Sequence, residues 1–304
     1  MTLKPIDTGF FKLDGGAMFG VVPKPLWQRL NPADEQNRCT WSMRCLLIET
    51  IDNQGQNRLV LVDTGMGNKQ ETRFFNYYDP NPHPADKPGN LTLIDSIRAA
   101  GYAETDITDV LLTHLHFDHA GGAIIRQQVR ENANAEGRTL IPTFPNATYW
   151  THSQHWHWAT HPNPRERASF LTENIMPIQE SGQLKFVDET DMGLPDVSLL
   201  FMDGHTEQMT LPKLTVKTGG GQQRTVLFCA DLIPSAHHVP LPYVMGYDVR
   251  PLLTMDEKAR ILSQAAEEGW VLVFQHDPVT EAAVVEQTAK GVRIRETGPL
   301  TGFL

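Results

Sequence analysis

The chain has 304 residues, 40% hydrophobic and 20% charged, with a formal net charge of −10. That composition furnishes a sizeable core and no apolar stretch near the ~20 residues of a membrane span. The acidic balance, without any basic block, weighs against a nucleic-acid partner, and three cysteines (Cys39, Cys45, Cys229) are too few and odd in number for a disulfide framework.

The start Met1-Thr2-Leu3-Lys4-Pro5 lacks an apolar signal core, which points to the cytoplasm. The first sixty residues read as strands and turns. Residues 44–50 and 58–63 are β-leaning runs around Asp52-Asn53-Gln54-Gly55-Gln56, a hairpin signal. Asn90 caps a predicted helix over 91–100, with Gly101 as its stop. The apolar run 109–113 reads as a buried strand, and a further helix is expected from Gly121 through Ile124, Ile125 and Val129. Residues 131–145 are polar and irregular, more an inserted loop than a boundary. Another apolar run covers 197–202. A second hairpin is expected from 213–217 and 224–229 around the glycine-rich turn 218–223. Thr254 caps a predicted helix over 255–268, ended by Gly269, and the last buried run is 270–275. No repeat, low-complexity segment or linker interrupts the chain, so one domain over 1–304 is expected. Two strand blocks closed by helices fit an α+β, four-layer αββα sandwich, although periodicity alone leaves a three-layer α/β arrangement open.

The densest chemistry lies in Thr113-His114-Leu115-His116-Phe117-Asp118-His119-Ala120-Gly121-Gly122. Three imidazoles and a carboxylate within six positions are a concentration of metal ligands that packing would not select. On an extended backbone i and i+2 point to one side, so His114 and His116 can share one ion. Asp118 and His119 follow the turn and face a second position, so the spacing suits two metals. Three further candidates stand where apolar runs stop: His205 after 197–202, Asp231 after 225–230 and His276 after 270–275. A single His or Asp at a strand end is usually a cap or a satisfied surface group. Four such places in one chain reverse that reading.

The order His-x-His-x-Asp-His, then Gly204-His205-Thr206, then Asp231 and His276 resembles the metallo-β-lactamase superfamily, and Val62-Asp63-Thr64-Gly65 matches that family's early strand-end motif. Asp231 resembles the bridging residue of dinuclear hydrolases, and Asp14-Gly15-Gly16-Ala17-Met18-Phe19-Gly20 with Asp231-Leu232-Ile233-Pro234 looks most like quorum-quenching N-acyl-homoserine lactonases. The resemblance decides for the αββα sandwich. It implies one ion held by His114, His116 and His205, a second by Asp118, His119 and His276, and Asp231 bridging them. Imidazole and carboxylate donors suit zinc and admit manganese, iron or cobalt. Ions roughly 3.5–4 Å apart share a solvent molecule whose pKa falls toward ~7. A bridging hydroxide would then open an ester or lactone. Asp118 is either a ligand only or also the proton donor to the leaving group. Asp63 and Thr113 are candidates for orienting imidazoles, with a turn cap as the plainer role for Asp63. The resemblance also supports a phosphotriesterase like methyl-parathion hydrolase, or a glyoxalase-II-type thioesterase.

One departure concerns Pro234. Homoserine lactonases of this fold often place a carbonyl-polarising Tyr three residues after the bridging Asp, and Tyr243 or Tyr247 are the substitutes on offer. Cys229 lies two residues before Asp231, which argues against a Cys-dependent β-lactamase. For the substrate wall the candidates are Met18, Phe19, Phe74, Phe75 and His238. Core packing is the plain alternative for the first four, a homodimer contact is another for the aromatic cluster Phe74, Phe75, Tyr77 and Tyr78, and His237 and His238 otherwise read as loop residues. The second His-rich stretch, Tyr149 to Trp158 with His152 and His155, reads as an aromatic wall or amphipathic helix rather than a metal site, because no strand-end carboxylate accompanies it.

Overall fold

A computed structural model describes residues 1–82, 91–128 and 138–304. Fourteen strands are present among the described residues. They are β1 (Thr2–Asp14), β2 (Arg38–Ile51), β3 (Asn57–Val62), β4 (Asp109–Leu111), β5 (Ile124–Gln128), β6 (Arg138–Pro142), β7 (Thr148–Thr151), β8 (Leu184–Phe186), β9 (Val197–Met202), β10 (Met209–Lys217), β11 (Gln223–Phe228), β12 (Val271–Val273), β13 (Ala282–Thr288) and β14 (Gly291–Gly298). One sheet runs β1-β2-β3-β4-β7-β8 and the other β14-β13-β12-β11-β10-β9, while β5 and β6 form a separate ribbon.

The sheets face each other, and the alternation of side chains explains why. Leu46, Ile48, Val60, Val62 and Leu111 point inward to a core shared with Leu214, Val216, Val226, Phe228, Val271 and Val273. Their sequence neighbours Cys45, Leu47, Leu59, Leu61 and Val110 point outward, under Leu93 and Ile97 of helix Leu91–Ala99 and Ile175 and Ile178 of helix Thr172–Glu180. Ile261, Leu262 and Ala265 of helix Pro251–Glu268 cover the second sheet, where the helix packs on β13, and belong to the same continuous cluster. Strands buried on both faces read as continuous apolar runs, as these do. The αββα sandwich is therefore the fold.

Three expected elements differ. Gly121 opens only a short 3-10 turn, after which Ile124 begins β5 instead of a helix; β-branched Ile124 and Ile125 favour the pleated ribbon. The loop expected over 131–145 contains β6, paired antiparallel with β5. Helix Pro251–Glu268 starts earlier than expected, with Pro251 in its first turn and Thr254 buried inside it, because proline's fixed φ suits that position. Gly269 does close it, in the left-handed conformation. The Asn90 cap and Val129 lie outside the described residues.

Strand direction places the site. β3, β4 and β7 are mutually parallel, as are β11 and β12. β9 and β11 both pair antiparallel with β10, so they also point the same way. The carboxyl ends of these strands collect at one rim, and the residues just beyond them converge there. Gly121 makes the rim compact: a Cβ on it would sit 2.0 Å from the carbonyl oxygen of Met66, so only glycine admits that approach.

Candidate metal centre

His114, His116, Asp118 and His119 arrive from the end of β4, His205 from β9, Asp231 from β11 and His276 from β12, and all seven are buried. Their donor atoms form three groups, each within 4.8 Å: His114, His116 and His205; His114, His119 and Asp231; Asp118, His119 and His276. Asp231 stands between the outer two. Its Oδ2 lies 3.2 Å from His205 Nε2, and its Oδ1 lies 3.0 Å from His276 Nε2 and 3.5 Å from His119 Nε2. The structure thus brings together the same two triads, with the same residue between them, that the motif implies.

The ring nitrogens turned away from this centre are each held. His119 Nδ1 bonds Asp63 Oδ2 at 2.9 Å, His205 Nδ1 bonds Asp248 Oδ1 at 2.9 Å, and His276 Nδ1 donates to the Ser42 carbonyl at 2.7 Å. Thr113 Oγ1 donates to Asp63 Oδ2 at 2.7 Å, which leaves it to accept from His114 Nδ1 at 3.1 Å. Each partner fixes the proton on Nδ1 and leaves a lone pair on Nε2, aimed at the centre. His116 is reversed: its Nε2 faces Glu166 Oε1 at 3.5 Å, and its Nδ1 lies 3.2 Å from His205 Nε2. His276 Nε2 and His119 Nε2 are also 3.2 Å apart.

Facing lone pairs at that distance repel unless a cation lies between them. Tetrahedral Zn–N bonds of about 2.0–2.1 Å would put nitrogen pairs roughly 3.3 Å apart. His114 Nε2 and Asp231 Oδ1 are buried without any hydrogen-bond partner, as donors reserved for an ion would be. The residues therefore fit a pair of metal ions. The electrostatics agree. Burial, then neighbouring His119 and His116, hold His114 well below its ordinary pKa, the neutral state a ligand needs. Burial would lift Asp231, yet the positive charge that His276, His119 and His205 can carry holds it well below the usual carboxylate range. Against burial, Asp231 in turn raises His119 and His205 above the ordinary imidazole value. The buried carboxylates thus call for the cationic charge that metal ions would supply.

Of the supporting groups, Asp63 and Thr113 were among the candidates, while Gln275, Glu166 and Asp248 escaped the sequence reading. Asp63 is buried and accepts from Thr113 N, Thr113 Oγ1 and Gln275 Nε2, in addition to its bond with His119, so it orients an imidazole and does more than cap a turn. It does this at φ 59, and Ala230, just before Asp231, has φ 43; such left-handed non-glycine residues gather at functional sites. Gln275 at least carried a signal, next to His276 at a strand end. Glu166 and Asp248 carried none, because each lies in an irregular segment.

The cavity over the centre has a volume of about 270 Å³. Met18, Leu13, Phe117, Tyr78 and Met245 give it an apolar side, while Arg165, Glu166 and Ser169 give it a polar one. Of the five candidates for the wall only Met18 lines it. Phe19 is fully buried, stacked on Trp27 at 5.4 Å and on His238 at 4.9 Å. His238 bonds the Met18 carbonyl and Ser235 and packs inside, rather than meeting a substrate. Phe75 is core, and Phe74 borders a separate, wider groove. Tyr78, from the same aromatic cluster, is the member that reaches the cavity. Tyr247 lines it too, whereas Tyr243 packs edge-on against Phe19.

The second His-rich stretch supplies no donor to these groups among the described residues. His152 caps helix Ser153–Thr160 by accepting from Gln154 N. His155 lies beneath the motif and accepts from Leu115 N at 2.8 Å while its Nδ1 donates to the Glu207 carbonyl at 2.6 Å.

A family model described as the metallo-beta-lactamase superfamily matches residues 44–276. Among solved structures, a probable metal-dependent hydrolase from Staphylococcus aureus superposes with a TM-score of 0.79 at 25% identity, covering 97% of this chain and 95% of the other. AidC, a dizinc quorum-quenching lactonase in complex with the product N-hexanoyl-L-homoserine, has a TM-score of 0.70 at 20% identity, covering 96% and 92%. A hydrolase of the beta-lactamase superfamily, AbOPH, has a TM-score of 0.67 at 18% identity, covering 96% and 92%. No curated protein matches the sequence. With most of its length matched, and its donors gathered at the carboxyl rim of an αββα sandwich, the chain belongs to the metallo-beta-lactamase superfamily of metal-dependent hydrolases.

Proposed function

We propose that the chain is a dinuclear metal-dependent hydrolase that opens a lactone or a related small ester, with N-acyl-homoserine lactones as the leading substrates and zinc as the first-choice metal. The observation that carries this is the pair of opposed lone-pair contacts at 3.2 Å on either side of Asp231, beneath a cavity with one apolar side. Two divalent ions, when bound, supply Lewis acidity and activate water at neutral pH.

The chain's own residues do the rest. Asp63, Asp248, Ser42 and Thr113 lock four imidazoles in one tautomer and one orientation. Asp118 is buried at the cavity wall, its Oδ2 3.7 Å from both His119 and His276, where it can pass a proton to a departing alkoxide. Phe117, Met18, Leu13 and Met245 exclude water and offer an apolar surface to an acyl group. Tyr247 is the phenol available for a substrate carbonyl now that position 234 is proline. The acidic chain acts on small molecules in this reading, not on nucleic acid, and among the described residues no helix is long and apolar enough to cross a membrane.

The test is a hydrolysis panel of acyl-homoserine lactones, aryl esters, phosphotriesters and S-lactoylglutathione, run on protein of measured metal content. Lactones should be turned over fastest; faster phosphotriester or thioester hydrolysis would displace the lactonase reading.

A further inference from the structure

Arg165 lies in the segment between helices Ser153–Thr160 and Thr172–Glu180, and its exposed side chain borders the cavity over the metal centre. Its Nη2 donates to the carbonyl of Gly246 and, at 3.3 Å, to that of Asp248. These two carbonyls flank Tyr247, so the guanidinium is held at the cavity rim beside the segment Met245–Asp248. Both bonds come from one nitrogen. Among the described residues Nη1 and Nε have no partner, and no carboxylate pairs with the group. The adjacent Glu166 would be the obvious counter-ion, but it is turned inward. Its carboxylate accepts from Thr206 Oγ1 and Trp158 Nε1, each at 2.7 Å, and from Asn163 Nδ2 at 2.5 Å, and it faces His116. In a chain with ten more acidic than basic residues, no carboxylate among the described residues neutralises this arginine beside the cavity.

We infer that Arg165 recognises an anionic group on the substrate, and that the preferred substrate is a compact ester or lactone bearing a carboxylate remote from the bond that is cleaved. The inference rests on the hydrolase reading above and, within it, moves the preference from the uncharged acyl-homoserine lactones to a lactone or ester that carries a carboxylate. A guanidinium offers a carboxylate an ion pair reinforced by a charge-assisted hydrogen bond; with Nη2 taken by the two carbonyls, Nη1 or Nε supplies that bond. The apolar side takes the body of the molecule. A volume of about 270 Å³ falls below the usual ligand-pocket range of roughly 300–1,000 Å³, so that body is small.

Binding and turnover separate the two readings. Metal-loaded full-length protein is titrated calorimetrically with a tetrahydrofuran carboxylate and its carboxamide, ring analogues that cannot be opened. Turnover is then measured on the corresponding lactone carboxylate and lactone carboxamide. Wild type should prefer the carboxylate, and Arg165→Met should reduce the carboxylate-to-carboxamide ratio by about ten- to hundredfold, the size of a lost charged hydrogen bond. Arg165→Lys, which keeps the charge and loses the planar group anchored on the two carbonyls, should fall between; should the Met variant not fold, the drop in the Lys variant decides. Equal binding of both analogues by wild type overturns the inference. A preference that survives Arg165→Met also overturns it, because the anion is then held by the metals. A binding preference that depends on Arg165 without turnover of either lactone would leave the inference standing and remove the hydrolase reading.

Discussion

Two stretches of this chain are rich in histidine, Thr113 to Gly122 and Tyr149 to Trp158, and they meet different ends. In the first, every histidine keeps one nitrogen for a hydrogen bond or a nearby carboxylate and turns the other toward a common space. In the second, His155 uses both nitrogens on backbone groups and His152 uses Nδ1 on a helix cap. Histidine count does not distinguish a metal centre from a scaffold; what distinguishes them is whether donors are left over after the local bonds are made. The comparison also revises the simple view that the second stretch is a bystander. Leu115 lies between His114 and His116, and its N–H is held by His155 Nε2, so the scaffold histidine fixes the backbone between two donors.

The largest effects should come from the first stretch and its partner across the sheets. Unchelated protein is expected to carry two transition ions per chain, and His116→Ala and Asp231→Asn should each lose metal and all measurable turnover while remaining soluble. Metal analysis that saturates at one ion would refute the dinuclear centre. Next come the residues behind the imidazoles. Asp63→Asn and Asp248→Asn should lower metal affinity or activity by about 10- to 100-fold, read by competition with a chelator of known affinity; an effect below threefold would detach them from the centre.

His155 should give a smaller effect, on stability first. Removing it leaves the Leu115 N–H buried without an acceptor, at a cost of about 1–3 kcal/mol, to be measured by denaturant unfolding of His155→Ala. Its titration has a definite sign. Burial depresses the folded pKa from 6.5 to about 3, so only the unfolded chain takes up this proton between those values. The contribution is complete above pH 6.5 and is lost as pH falls toward 3. Metal-free wild type should therefore lose stability more steeply on acidification through that window than His155→Gln; parallel curves would contradict a neutral His155. Smallest of all is His152→Ala, which removes only a helix cap, about 0.5–2 kcal/mol at most, with no change in metal content. For the cavity wall, Tyr78→Ala should raise KM for long-chain lactones more than Phe74→Ala does, since Tyr78 borders the metal cavity and Phe74 only the outer groove.

The donors were legible because each stands where a β-rich run stops, a pattern that survives without any knowledge of pairing. β2, β3, β4 and β9 to β12 were legible for the same reason, whereas β5 was hidden behind a glycine pair that resembles a helix start, β6 was read as a loop, and β7, β8, β13 and β14 were not read. Among the groups that tune the site, Asp63 and Thr113 were legible beside their strand-end motifs, whereas Asp248, Glu166 and Gln275 were not, since their positions depend on tertiary approach alone. Asp248 meets His205 across 43 residues, and Gln275 meets Asp63 across 212. The aromatic wall failed for a related reason: Phe74, Phe75 and Tyr78 are alike in sequence, and only the turn of one short helix, Thr72–Tyr78, decides which of them faces the cavity.

The division of donors between two consecutive sheets has a consequence for biosynthesis. His119 and His276 are 157 residues apart in the chain. At about 5–20 residues per second the ribosome needs roughly 8–30 s to travel between them. Throughout that interval the nascent chain displays His114, His116, Asp118 and His119 without their partners, able to hold an ion only loosely and open to exchange. The three donor groups are complete only once His276 has emerged, so an ion captured before then can still be replaced.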